Sequence, residues 1–160
     1  MAIEAPLSKF KINGFKLYIA VCLIAGGVLA YDGYLSKYEW SKRHNFYIRH
    51  VVENDGKPDG TMNFNRKVPP ILLVIAILLG IRWYVIKDKK LVAGENSFIT
   101  PKREIAYDSI QKIDKTRFDS KGYFVITYKD YQGVDTDLKI SDRTYDNLGA
   151  VLDLLVAKIS

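Results

Sequence analysis

The sequence holds one cysteine, Cys22, and two histidines, His44 and His50. A lone cysteine forms no internal disulfide and cannot build a zinc site by itself. No Asn-x-Ser/Thr acceptor for glycosylation is present. Neither the P-loop spacing G-x-x-x-x-G-K-[ST] nor the G-x-G-x-x-G turn occurs, so no glycine loop is set to cradle phosphates. Acidic residues number 18 against 24 basic ones, a formal charge of +6. That excess is spread along the chain and flanks apolar segments, unlike the clustered footprint of a nucleic-acid binder. With 48% hydrophobic residues the chain is too apolar for disorder, and one cysteine excludes a disulfide scaffold.

What is abundant is aliphatic sequence, and it is unevenly placed. From Leu17 to Ala30 there is no charged residue, and a second apolar run extends from Val68 to Ile81. With their flanks these define segments 15–31 and 68–86, each near the lower length limit for a hydrocarbon core about 30 Å thick. Only a helix satisfies its own backbone polar groups in lipid, so a hairpin of two transmembrane helices is predicted. The alternative is a pair of buried core helices, but a chain of 160 residues has too little other sequence to cover both. Lys9, Lys11 and Lys16 before the first segment and Val28-Leu29-Ala30 at its end also fit a secretory signal peptide. The expectation is a retained membrane helix.

Aromatic and basic residues mark where the segments meet water. Tyr31 and Tyr34 follow the first, with Tyr38 and Trp40 beyond, and Trp83 and Tyr84 end the second. Arg82 stands where its stem can snorkel to the interface, and Lys87, Lys89 and Lys90 follow. These residues are the predicted interface anchors. Small residues recur four apart, Cys22, Gly26 and Ala30 on one helix and Ala76 and Gly80 on the other. Such faces let helix backbones approach, within the hairpin or against a partner helix, and Cys22 is then a packing residue.

Two crossings put residues 1–14, read as a tail, on the same side as the C-terminal part. Lysine and arginine are nearly balanced between the sides, so charge bias sets no orientation. The missing disulfides and glycosylation sites favour a cytoplasmic C-terminal domain. Between the helices, the loop 32–67 mixes aromatic and basic residues from Tyr38 to Val52, as a short interfacial helix would. Asn54-Asp55-Gly56 and Pro58-Asp59-Gly60 are turn signals, and Pro69-Pro70 is expected to open the second helix. His50 and Glu53 are three apart, but the zinc pattern of two histidines four apart around a glutamate is missing, and no metal is expected.

After Lys90 the period changes. Short apolar pieces are divided by Gly94-Glu95-Asn96, Pro101, Asp119 to Gly122 and Gln132-Gly133. Tyr123 to Tyr128 is β-branched and aromatic, as a strand requires. Val134, Thr136, Leu138 and Ile140 alternate with Asp135, Asp137 and Lys139, the pattern of a strand with one wet face. A closing amphipathic helix is predicted from a cap at Ser141 or Asp142, its stripe formed by Tyr145, Leu148, Leu152, Leu155, Val156 and Ile159.

The piece Tyr107 to Ile110, the glycine turn at Gly122, the paired strands and the leucine-rich helix resemble a bacterial pleckstrin-homology-like domain over residues 88–160. The resemblance implies a small α+β domain, a bent antiparallel sheet or barrel with one C-terminal capping helix, carried by membrane helices in a bacterial inner membrane. It implies binding or scaffolding without catalysis. The basic loop that marks phosphoinositide binding in such domains is missing, since Gly94-Glu95-Asn96 stands at that turn. The histidines lie apart from the acidic residues of this domain, so no Ser-His-Asp set is suggested either. The expected function is that of a non-catalytic accessory, assembly or scaffolding subunit of a larger membrane complex. Its partners would be the bilayer and other membrane subunits, with no cofactor, nucleic acid or small-molecule substrate. The alternative is a membrane-anchored module that recognises lipid headgroups or peptides, using Lys87, Lys89, Lys90, Lys102 and Arg103.

Overall fold

The computed structural model describes residues 2–159 and divides into two compact units. One is Gly14–Tyr84. The other joins the residues up to Asn13 to those from Val85 onward.

The first unit is a helical hairpin. Helix α1 (Lys9–Ala30) runs into a π-helical turn, Tyr31–Leu35, and helix α3 (Gly60–Ile86) returns. Both are long and apolar enough to cross a membrane. Among their shielded residues one series keeps a regular spacing: Phe15, Ile19, Cys22, Gly26 and Leu29 on α1, and Met62, Asn65, Pro69, Leu72, Ala76, Leu79 and Trp83 on α3. Alternating steps of three and four keep one seam of each helix facing inward. At Gly26 a Cβ would lie 3.6 Å from Leu72 Cβ, an ordinary van der Waals contact. Between the helices, a four-residue helix α2 (His44–Tyr47) continues as a second π-helical turn, Ile48–Val52.

Helix α1 extends the expected membrane segment 15–31 back to Lys9, because Ser8 caps it: Ser8 Oγ accepts the Lys11 N–H at 3.2 Å. Helix α3 starts at Gly60 and not at 68, which leaves Pro69 and Pro70 inside it. The start signal that overrode the prolines is Asp59, whose Oδ1 accepts the Met62 N–H at 2.8 Å.

The second unit holds two small antiparallel sheets and a C-terminal helix. Strands β1 (Ile3–Pro6), β2 (Lys90–Ala93), β3 (Ser97–Ile99) and β4 (Glu104–Ala106) form one, in that order. Strands β5 (Ile110–Asp114), β6 (Tyr123–Lys129) and β7 (Asp135–Ser141) form the other. A short helix α4 (Phe118–Lys121) links β5 to β6, and α5 (Leu148–Ile159) follows β7. Alternation puts Phe124, Ile126 and Tyr128 of β6 inward with Phe98, Ile105, Leu91 and Ile140, and α5 adds Leu148, Val151, Leu152 and Leu155. Val134, expected on the buried face of β7, lies before the strand and is 56% exposed.

The tail 1–14 is not a tail. Ile3 pairs with Ala93 and Pro6 with Lys90, so β1 is an edge strand whose Ala5 is fully buried. Its continuation explains why α5 begins at Leu148 and not at Ser141 or Asp142. The intervening stretch binds the N-terminal segment: Thr144 O accepts the Ser8 N–H at 2.8 Å, and the Asp146 N–H reaches Pro6 O at 2.9 Å. Asn147 Nδ2 donates to Glu4 O at 3.1 Å from a left-handed backbone, φ 61°. Those carbonyls and amides cannot serve a helix at the same time.

Gly122 closes α4 with φ 66°, and a Cβ there would stand 2.0 Å from the Asp142 carboxylate. Gly122→Ala is expected to cost about 1–2 kcal/mol from backbone conformation alone, before Asp142 is displaced. The check is thermal unfolding of the two proteins followed by near-ultraviolet circular dichroism.

Candidate functional site

The most highly organised polar region is the end of the hairpin that carries the loop. A proline lacks an N–H, so Pro69 and Pro70 leave the carbonyls of Asn65 and Arg66 without their helical donors. Both face the π-helical turn of the other helix. Tyr34 Oη donates to Arg66 O at 2.6 Å, and Arg66 Nε donates to Gly33 O at 3.0 Å. Gly33 sits so close that a Cβ would fall 2.5 Å from Asn65 O and 2.7 Å from its carbon. The proline pair and the turn therefore form one joint between α1 and α3.

Charge is stapled above that joint. Asp32 is 8% exposed, and Arg43 grips its carboxylate with two parallel bonds, Nε to Oδ1 at 2.9 Å and Nη2 to Oδ2 at 2.8 Å. Hydrogen bonding to Asp32 and then its charge push the Arg43 guanidinium further above its ordinary range. Ser36, fully buried, returns its hydroxyl to Asp32 O, and His44 Nδ1 lies 3.1 Å from Ser36 O. Ser41 Oγ donates to Tyr31 Oη at 3.2 Å.

His50 and Asp59 make a second clasp, with Nδ1 2.7 Å from Oδ2. The Met62 N–H, and next the His50 ring, hold the Asp59 carboxyl below its ordinary range. A depressed carboxyl stabilises the fold in its ionised form. Its contribution is present above the unfolded value, about 4, and is lost as pH falls through the lower folded value. Acidification below pH ~4 is thus expected to fray the start of α3. The Met62 amide shift should follow that titration, and Asp59→Asn should keep a cap while abolishing the pH step.

The predicted packing residues lie on or beside the seam: Ala76 is 5% exposed, while Cys22, Gly26, Ala30 and Gly80 are half-buried. They do not close up completely. Cys22, Gly26, Gly27 and Ala30 face Pro69, Pro70 and Leu73 across a cleft of about 260 Å³. Among the predicted anchors, Tyr34, Arg82, Tyr84, Lys87, Lys89 and Lys90 are exposed, and Tyr31 is half-buried. Trp83 is half-buried with Lys16 Nζ 5.9 Å from its ring centroid, and its indole N–H is enclosed without a hydrogen-bond partner.

Sequence reasoning missed Asp32, Gly33, Ser36, Arg43 and Asn65. The available signal was two adjacent prolines ten residues beyond a good cap at Asp59, which require an outside group for the freed carbonyls. Among the described residues, no group of three or more His, Cys, Asp or Glu side chains is placed to hold a metal ion. The arrangement can fix the angle of a hairpin and hold a buried charge neutralised.

Comparison with family models, with curated proteins and with solved structures finds no match to the chain.

Proposed function

We propose that the chain is a small integral membrane protein without catalytic activity, an accessory or assembly subunit of a larger membrane complex. The observation that carries this reading is the outer surface of the hairpin. Ile24 and Val28 on α1, and Ile71, Val74, Leu78 and Ile81 on α3, each expose more than half their surface. Left in water, that surface forfeits about 25 cal/mol per Å². Lipid or the helices of partner subunits remove the cost, and the small-residue cleft gives a partner a place to seat. The second unit, two antiparallel sheets with a closing helix, is compatible in general terms with the pleckstrin-homology-like binding domain of this reading.

One observation favours a second reading, a module for anionic headgroups. Lys102, Arg103, Lys129 and the 95% exposed Tyr131 border a hollow of about 490 Å³, where Glu104 and Asp130 leave the cations in excess by one. Salt separates the two, since headgroup binding weakens with ionic strength and an apolar subunit contact does not.

The test is gentle detergent extraction from native membranes, size separation and mass spectrometry of what travels with the chain. Stoichiometric companions are expected. Migration alone, at the mass of the chain plus detergent, would overturn the proposal.

A further inference from the structure

The second unit carries a groove of about 710 Å³ between the β5–α4 connection and the outer face of α5. Lys115, Phe118 and Asp119 form one wall, and Gly149, Asp153 and Ala157 the other, with Leu152 on both the groove and the core face. Gly149, Asp153 and Ala157 recur four apart, so small and acidic residues form a continuous stripe along α5. Around Gly149 there is open space: a Cβ there would meet nothing within 4 Å. Phe118 is held in place by its edge-on contact with the buried Phe124, centroids 5.8 Å apart.

Two features say what the groove accepts. β5 has a neighbour on only one side, β6, and it ends at Asp114, beside the groove residues Lys115 and Thr116. An edge strand offers backbone donors and acceptors that an extended chain can pair with. The groove also presents two carboxylates, Asp119 and Asp153, against the one ammonium of Lys115, in a protein of net charge +6. Anionic headgroups and phosphates are disfavoured there.

We infer that this groove binds an extended, basic peptide segment of a partner protein, which adds to the edge of β5 and seats an apolar side chain between Phe118 and α5. The inference rests on the reading of this unit as a binding module. It does not depend on whether the hairpin has stoichiometric companions in the membrane.

The full chain in detergent micelles is panned against a library of displayed random ten-residue peptides, and the enriched peptides are titrated against variants. Enrichment of sequences that combine lysine or arginine with aliphatic residues is expected. Gly149→Leu fills the groove while improving helix propensity, so the fold is retained. It should weaken those peptides at least tenfold. Asp119→Lys with Asp153→Lys should weaken them and remove their salt dependence, and amide exchange in Ile110–Asp114 should slow on binding. No enrichment, or equal binding to Gly149→Leu, overturns the proposal. So does a wild-type dimer that Gly149→Leu makes monomeric, since the occupant is then a second copy. Co-purified lipid lost in Gly149→Leu without peptide enrichment also overturns it. Absence of companion subunits on extraction, with peptide binding intact, counts against the membrane-complex proposal alone.

Discussion

Gly33→Ala is expected to lower the stability of the hairpin by about 3 kcal/mol, at the upper end of what an overpacked methyl costs. The added Cβ would fall 2.5 Å from Asn65 O, 2.7 Å from its carbon and 3.1 Å from Arg66 N. All three are backbone atoms of a helix, so no side chain can swing aside. The π-helical turn must therefore lift off α3. Lifting it leaves Arg66 O without the Tyr34 hydroxyl and Gly33 O without the Arg66 guanidinium. Thermal unfolding in detergent, followed by helical circular dichroism, reads the loss. Tyr34→Phe provides the comparison. It removes one hydroxyl from an exposed site and should cost about 1 kcal/mol. Equal effects from the two variants would show that the close approach at Gly33 is not what holds the joint.

Ala5→Asp is expected to unfold the first sheet, at a cost of about 3–5 kcal/mol for an uncompensated buried charge. Ala5 is fully buried opposite Leu91, in a core that also holds Ala93 and Phe98. Glu4, its neighbour, faces outward and pairs with Lys90 at a half-exposed site. Glu4→Ala should therefore cost less than about 1 kcal/mol. Tryptophan fluorescence reports poorly on this unit, because Trp40 and Trp83 both belong to the hairpin. Amide exchange of Leu91, Val92 and Ala93 is the better measurement. Tolerance of Ala5→Asp, with those amides still protected, would mean that β1 contributes no stability.

These contrasts also show which parts of the fold are legible in the sequence. The two long helices are legible because an apolar run with no charge has few other solutions, and their seam follows from spacing alone. Strands β6 and β7 are legible because alternation over seven residues each is a strong signal. β1 is not legible. It is four residues long, ends in proline, and takes its partners from beyond the hairpin, as the pairing of Ile3 with Ala93 shows. The start of α5 is illegible for the same reason, since the backbone around Thr144 and Asp146 is committed to that strand.

The joint between the helices was hidden by a rule that holds in most helices. Proline is favoured at the first helical position, which pointed to a start at Pro69. The cap at Asp59 is just as readable, and with both signals in one segment the sequence does not say which prevails. Tertiary contacts decide it: once Tyr34 serves Arg66 O, an interior proline leaves that carbonyl satisfied. Asp32 and Arg43 are eleven residues apart and meet only because the chain folds back over the turn. No periodicity brings them together.

The proposed two-span membrane hairpin has two ends that feed one sheet, β1 entering α1 and α3 leading into β2. Single cysteines placed on a Cys22→Ser background test it in sealed membrane vesicles with an impermeant maleimide. Lys57→Cys reports the loop, Glu4→Cys the N-terminal strand, and Tyr131→Cys the β6–β7 turn. Positions 4 and 131 are expected to be labelled from one face of the membrane and position 57 only from the other. Labelling of all three from the same face, or loss of the chain from the vesicles on alkaline carbonate washing, would contradict the proposed hairpin.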